Sequence, residues 1–512
     1  MLVKVILLIV FFAAMIAVGL HSRKHATNVN DFVLGGRSVG PWLTAFAYGT
    51  SYFSAVVFVG YAGQFGWKYG IASTWIGIGN AVIGSLLAWV ILGRRTRVMT
   101  NHLSAATMPE FFGKRYDSKA LKIVASAIVF IFLVPYTASI YNGLSRLFEM
   151  AFNIPFSVCV IAMAVLTGVY VILGGYMATA INDFIQGIIM LGGIVAVIAA
   201  VLSGQGGFME AIGELSTFES DVAVSAGQAG AFTSFFGPDP VNLLGVVILT
   251  SLGTWGLPQM IHKFYTIKDE KSINTGTVIS TVFAIVVSGG CYFLGGFARL
   301  FDSPAIYDET GAVVYDSIIP HMLSTVPDII IGIVVVLVLS ASMSTLSSLV
   351  LTSSSTLTLD FLKDNVVKHM SEQKQLLVLR LLIVFFIAVS VVLALDPPAF
   401  IAQLMGISWG ALAGAFLAPF LYGLYWKRVT RPAVWASFIT GVGITVANMF
   451  FHFIESPINA GAVAMAASLI VVPVVSWLTK KPEATHIDKI FACYEEEVTV
   501  HKKHSLKESA QS

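Results

Sequence analysis

The stretch Trp42-Leu-Thr-Ala-Phe-Ala-Tyr-Gly49-Thr50-Ser51-Tyr52-Phe53-Ser54 decides how this chain is read. It lies in a long apolar run, yet its middle carries a glycine followed by hydroxyl-bearing residues. Glycine weakens a helix, and Ser and Thr offer the backbone competing hydrogen bonds. The spacing therefore predicts a membrane helix interrupted near its midpoint. A second stretch, Ser251-Leu-Gly253-Thr254-Trp255-Gly256-Leu257-Pro258-Gln259, predicts the same. Proline there lacks an N–H and clashes one turn back.

The surrounding composition fixes the class. Of 512 residues, 56% are hydrophobic and only 11% charged, against about 25% charged in an ordinary soluble domain. A soluble globule of this size could not hide so much apolar surface. That excludes a soluble enzyme and a disordered chain. The net charge of +2 gives no reason to expect nucleic acid, and Cys159, Cys291 and Cys493 are too scattered for a disulfide framework or zinc site.

A spanning helix needs about 20 mostly apolar residues. That measure yields thirteen segments: 3–21, 40–66, 70–93, 121–149, 155–174, 180–203, 241–262, 274–300, 327–358, 376–395, 399–426, 432–453 and 458–479. With the N-terminus outside, 26 of the 30 Lys and Arg residues fall in inner loops and the tail, Lys263 among them. Only Lys4, Lys68, Arg146 and Arg299 fall opposite, where the two long loops are acidic. This charge asymmetry predicts a multi-pass protein of the plasma (inner) membrane with a cytoplasmic C-terminus. A basic cluster follows the first segment and holds that end inside, so the segment is expected to stay as an anchor.

The two interrupted helices open two blocks of five spans, 40–203 and 241–426. An odd number of spans per block inverts the second against the first. Paired broken helices in inverted repeats mark a transporter binding site. Flanking these blocks are an extra helix with its inner loop (1–39), an outer loop (204–240), two further helices (427–479) and a tail (480–512).

The ninth span carries Ser340-Ala341-Ser342-Met343-Ser344-Thr345-Leu346-Ser347-Ser348. Helical spacing aligns Ala341, Ser344, Thr345, Ser348 and Thr352 on one stripe. With carbonyls of an unwound Thr50–Phe53, they offer about five neutral hard oxygens, which suits Na+. A small-residue stripe for tight helix contact is the competing reading. Asp183, within the sixth span, would add a second, anionic cation site with Ser344, Ser347 and Ser348 if it faces the ninth span.

At these residues the chain resembles the sodium:solute symporter family over nearly its whole length. The marks are Phe32-Val-Leu-Gly35-Gly36-Arg37-Ser38-Val-Gly40-Pro41, Gly174-Gly175 with Asn182-Asp183 and Gln186-Gly187, Gly256-Leu257-Pro258, Met343-Ser344-Thr345-Leu346-Ser347, and Tyr422-Gly-Leu-Tyr-Trp426-Lys-Arg428. The resemblance implies an all-α polytopic membrane protein of LeuT-type 5+5 fold. It carries a sodium site onto Thr50, Phe53, Ala341, Ser344 and Thr345, and a second onto Asp183, Ser344, Ser347 and Ser348.

The solute candidates are Tyr52, Ser54, Tyr136, Asn142, Trp255 and Gln259. Tyr136 matches a tyrosine of the family's proline carriers. Their aspartate on the first broken helix is Tyr52 here, and their tryptophan on the seventh span is Thr250. The Asn-Asp/Gln-Gly run and the Lys268-Asp269 pair look more like pantothenate carriers. The expectation is therefore sodium-coupled symport of a small carboxylate-bearing solute, pantothenate- or monocarboxylate-like, with proline or another amino acid as the alternative. A membrane solute sensor is the rival class, but the 33-residue tail is short for a signalling domain. No obligatory protein partner is evident, and there is no G-x-S-x-G elbow, P-loop or metal-spaced histidine cluster.

Overall fold

The computed structural model describes residues 2–22, 28–363, 370–398 and 400–494. Arg23, Lys24, Lys368 and the tail beyond 494 lie outside the described residues.

The apolar runs fold as α-helices, the one regular structure that satisfies every backbone group within a single segment in lipid. In chain order the membrane helices are α1 (Leu2–Ser22), α2 (Pro41–Tyr52), α3 (56–69), α4 (74–102), α5 (Lys119–Phe152), α6 (Phe156–Gly204), α7 (Pro240–Leu252), α8 (Pro258–Thr266), α9 (Glu270–Gly295), α10 (Asp328–Leu362), α11 (Glu372–Leu395), α12 (Ile401–Tyr425), α13 (Arg431–Phe451) and α14 (Pro457–Leu478). Several start on a side-chain cap at the membrane boundary. Ser118 accepts from Leu121 N, Asp239 from Asn242 N, and Asp269 from Ser272 N, each satisfying an orphan N–H.

By length and composition, ten described helices can cross a membrane, or eleven with the bent α7–α8 pair counted as one span. Geometry resolves the rest. The run Val56–His102 has 47 residues, about 70 Å of helix against a hydrocarbon core of about 30 Å. Gly70, at φ +59° and ψ −141°, breaks it into α3 and α4. In the same way α6 has 49 residues and turns at Gly175, φ +55° and ψ −152°. The sequence suggested a short linker after residue 174. One glycine in a conformation that L side chains avoid redirects the chain instead. With α2–α3 and α7–α8 each taken as one broken crossing, the segments lie where the thirteen were expected.

Helices of the two blocks meet antiparallel. Val39 N bonds Thr266 O at 3.2 Å and Lys268 N bonds Val39 O at 3.0 Å, so the start of α2 meets the end of α8. Gly237, just before α7, packs on the Tyr69 carbonyl at the end of α3. Arg94 pairs with Glu270, and Gly77 abuts Gly289, so α4 and α9 run opposite ways. Lys122 lies 3.4 Å from Asp360, joining the start of α5 to the end of α10.

Most expected inner-loop cations gather at one end of the bundle. There Arg97 donates to Ile267 O at 2.6 Å, Arg115 to Gly423 O at 2.9 Å, and Arg431 pairs with Asp117 at 2.6 Å. Lys263 departs from the expectation. It is not in a loop but within α8, with its side chain 2% exposed. The reason is that α8 continues to Thr266, one helical turn beyond the expected end of that span at 262.

Candidate cation and solute site

The break after α2 falls at Phe53, whose φ of −98° and ψ of 132° are extended. The helix resumes from Ala55, leaving the Phe53 carbonyl outside the helical ladder, while Thr50 O accepts from Phe53 N at 3.2 Å and keeps a second lone pair. The second break is a tight turn at Gly253–Gly256 followed by Leu257 at φ −87°, ψ 119°. Pro258 then opens α8, where its missing N–H costs nothing, and the axes bend by 45°.

Helix α10 lies across the first break and is stitched to it. Thr345 Oγ1 donates toward Phe53 O at 2.7 Å, with Ala341 O at 3.0 Å and Thr50 O at 3.2 Å. Ser344 Oγ donates to Thr50 Oγ1 at 2.7 Å. Ala55 N donates to Ser342 Oγ at 3.1 Å. The five residues assigned to a first sodium thus converge on one point, all buried. Three carbonyls and two hydroxyls form a neutral, hard donor set. A hydroxyl that now donates can turn its lone pairs to a cation at the same place. This donor set fits Na+ and offers nothing to a soft metal.

The second cluster assembles differently. Asp183 is fully buried about two turns past the Gly175 bend. Ser347 turns back to Ser344 O at 2.8 Å, a bond to its own helix. Ser348 Oγ lies 2.8 Å from Ser51 Oγ and accepts from Lys263 Nζ at 3.0 Å. Lys263 Nζ is 3.8 Å from Asp183 Oδ2. The sequence reading placed Asp183 and Ser348 together but left out this lysine. The available signal was its position one turn after Gln259, on the same helix face as a residue already singled out.

Of the six solute candidates, Tyr52 and Tyr136 share one aromatic wall. Each ring centroid lies 5.8 Å from Trp409 of α12. Trp409, fully buried in mid-span, went unnoticed because an indole in an apolar helix reads as core. Tyr52 also donates its hydroxyl to Thr250 O at 2.7 Å, bridging the two broken helices. Ser54 Oγ accepts from Val56 N at 3.2 Å. Trp255 Nε1 donates to Ile83 O at 2.9 Å, which commits that indole to α4. Asn142 is buried on α5, but six residues past Tyr136, which turns it a third of a circle away. Gln259, 1% exposed, has no partner for either amide atom among the described residues. It sits at the N-terminus of α8, the positive end of a half-helix.

At the end opposite the basic loops, a cavity of about 550 Å³ opens between α3 and α7. Gln64, Lys68, Asp239, Arg299 and Gln403 line it. Arg299 is held by Trp67 O at 2.8 Å and Asp221 at 2.5 Å. At the basic end Arg37 donates to Ala105 O at 2.6 Å and Tyr265 O at 3.2 Å, tying the segment before α2 to the end of α8.

Comparison with known proteins agrees with this architecture. The chain is 30% identical over 512 residues to the sodium/proline symporter of Staphylococcus aureus, covering 95% of each chain. It is 28% identical over 485 residues to the osmoregulated proline transporter OpuE of Bacillus subtilis, covering 92% of this chain and 94% of that one. Its fold matches that of a Na+-coupled sialic acid symporter solved in a substrate-bound, outward-open state, with a TM-score of 0.76 at 16% identity over 94% of this chain and 98% of that one. It also matches, at a TM-score of 0.53 and 12% identity over 90% and 97% of the chains, the nucleobase-cation-symport-1 family transporter Mhp1. These are transporters rather than enzymes, the sialic acid symporter with a LeuT-type fold, and the family model matches residues 32–441. The chain belongs to the sodium:solute symporter family.

Proposed function

We propose that this protein couples entry of Na+ to uptake of a small carboxylate-bearing solute by alternating access. One observation carries the reading: Thr50, Phe53, Ala341, Ser344 and Thr345 bring five neutral oxygens together where an interrupted helix meets a continuous one. In this reading the blocks 40–203 and 241–426 are the two repeats. The basic end faces the cytoplasm, and the 550 Å³ cavity is the outer approach.

The solute lies against Tyr52, Tyr136 and Trp409, with its carboxylate toward Gln259 and the N-terminal end of α8. The resemblance of the Asn182-Asp183 and Lys268-Asp269 regions favours a pantothenate- or monocarboxylate-like solute. The names of the relatives favour proline, which is also a small carboxylate. One charge crossing 100 mV releases about 2.3 kcal/mol, and a tenfold sodium gradient adds about 1.4 kcal/mol. For a zwitterionic solute such as proline one ion therefore supports roughly 500-fold accumulation, whereas a monocarboxylate anion carried one-to-one moves no net charge and draws only on the roughly tenfold sodium gradient.

Purified protein in proteoliposomes tests the reading. An inward Na+ gradient, but not K+, should drive saturable uptake from a panel of labelled proline, pantothenate, lactate and acetate. Radioactive sodium should bind saturably without any solute. Absence of saturable sodium binding would end the proposal. The panel decides between the two solute readings.

A further inference from the structure

The position expected to hold a second sodium already contains a cation. Lys263 leaves α8 and buries its side chain to 2% exposure. Its ammonium donates to Ser348 Oγ at 3.0 Å, stands 3.8 Å from Asp183 Oδ2, and lies 5.2 Å from the centre of the Tyr176 ring. Asp183 is itself fully buried. A carboxylate inside a membrane protein requires a positive partner, and so does an ammonium. Each answers the other here.

Sodium at this position would depend on the same carboxylate and the same Ser348 oxygen. It would also stand against a like charge only a few ångströms away. An ammonium and a sodium ion are both monovalent and both take lone pairs from hydroxyls. We infer that Lys263 is a tethered cation that fills the Asp183–Ser348 position and holds this transporter to one sodium per solute. The inference rests on the sodium reading of the Thr50–Thr345 cluster. A free ion leaves at the end of every cycle and spends its gradient. The lysine stays, so the position remains charge-balanced and adds nothing to the driving force. Lys263 rides on an interrupted helix, whereas Asp183 and Ser348 sit on the continuous arms of α6 and α10. The ion pair therefore ties the one to the other.

Counting bound radioactive sodium on the purified, solute-free protein tests this. The wild-type chain should bind one ion, and Lys263→Arg should also bind one. Lys263→Ala, which frees Asp183 and leaves room, should bind two. Asp183→Asn/Lys263→Ala should return to one. A lysine that merely braced the fold would not produce a second ion when removed. Two saturable sodium ions on the wild-type chain, or a single ion on folded Lys263→Ala, would overturn the inference. If Lys263→Ala does not fold, the wild-type count decides alone. A wild-type count of zero would instead remove the sodium reading beneath it.

Discussion

Thr345→Ala is the sharpest probe of the cation site. The hydroxyl reaches three carbonyls, Phe53 O at 2.7 Å, Ala341 O at 3.0 Å and Thr50 O at 3.2 Å. Two of these belong to the broken helix. In the proposed sodium-bound state the same oxygen is one of about five ligands. A contact to a charged group is worth about 1.5–3 kcal/mol. The sodium-free state loses something too, because its neutral hydrogen bond is worth about 1 kcal/mol. The difference, about 0.5–2 kcal/mol, is what binding loses. Half-saturating sodium should therefore rise about 2- to 30-fold. Thr345→Ser keeps the oxygen and should stay near the wild-type value. The assay is initial uptake against sodium concentration at fixed solute, repeated against solute at saturating sodium. Solute affinity should recover in the second series, since the missing group is not part of the aromatic wall. An unchanged sodium curve with a permanently weakened solute affinity would refute the assignment.

Three further outcomes follow from other parts of the molecule. Gln259→Leu removes an amide that has no partner among the described residues at the N-terminus of α8, so half-saturating solute should rise about tenfold if the proposed carboxylate lies there, for one lost hydrogen bond to a charged group, about 1.5 kcal/mol. Sodium binding measured without solute should not move. Gly66→Ala places a methyl on the Gly295 carbonyl where α3 crosses α9. Overpacking of this kind costs about 1–3 kcal/mol or more, read as a lower melting temperature in detergent. Asp316, on the short helix Tyr315–Ser324 outside the membrane spans, is buried, and that burial pushes its carboxyl up to about 6 from 3.8. The Ile401 N–H, which donates to it at 3.2 Å, and the more distant Arg146 pull the other way. The folded protein thus keeps a proton that the unfolded chain releases. Stability should fall as pH rises from about 4 through 6, then level off. Asp316→Asn should abolish that component, and a variant with the wild-type pH slope would reject it.

How much was legible in the sequence follows from the length scale of each feature. Long apolar runs, Gly49 with its polar neighbours, and Gly256-Leu257-Pro258 are local signals, and they located the spans and both breaks. The convergence of Ser344 and Thr345 with Thr50 and Phe53 was legible because helical spacing puts the hydroxyls on one stripe and the break supplies the carbonyls. Lys263 was not. Its charge reads as loop, and only the packing of α8 against α6 and α10 shows the buried acid that lets it stay inside. Trp409 was missed for the opposite reason, since an indole is at home in any apolar helix. Trp255 reads as a pocket residue until its N–H is found on Ile83 O. Periodicity assigns a residue to a face but does not name the atom that face will meet.

In the proposed function, the arrangement around the first break lets one ion govern a solute site it does not touch. Helix α10 holds the segment from Thr50 to Ala55 through Ser342, Ser344, Thr345 and Ser348. Two of those four hydroxyls belong to the proposed cation site. The backbone they fix carries Tyr52, whose ring faces Trp409 and whose hydroxyl reaches Thr250 on the other broken helix. A cation that orders the Thr50 and Phe53 carbonyls therefore orders the wall a solute would lie against. The solute in turn favours the backbone setting that holds the cation. Such coupling is reciprocal by thermodynamic necessity. Tyr52→Phe separates this account from direct contact between ion and solute. It keeps the ring and every cation ligand but cuts the link to Thr250. Sodium binding alone should stay intact, while the factor by which sodium improves solute affinity should shrink. If that factor is unchanged, coupling does not run through Tyr52.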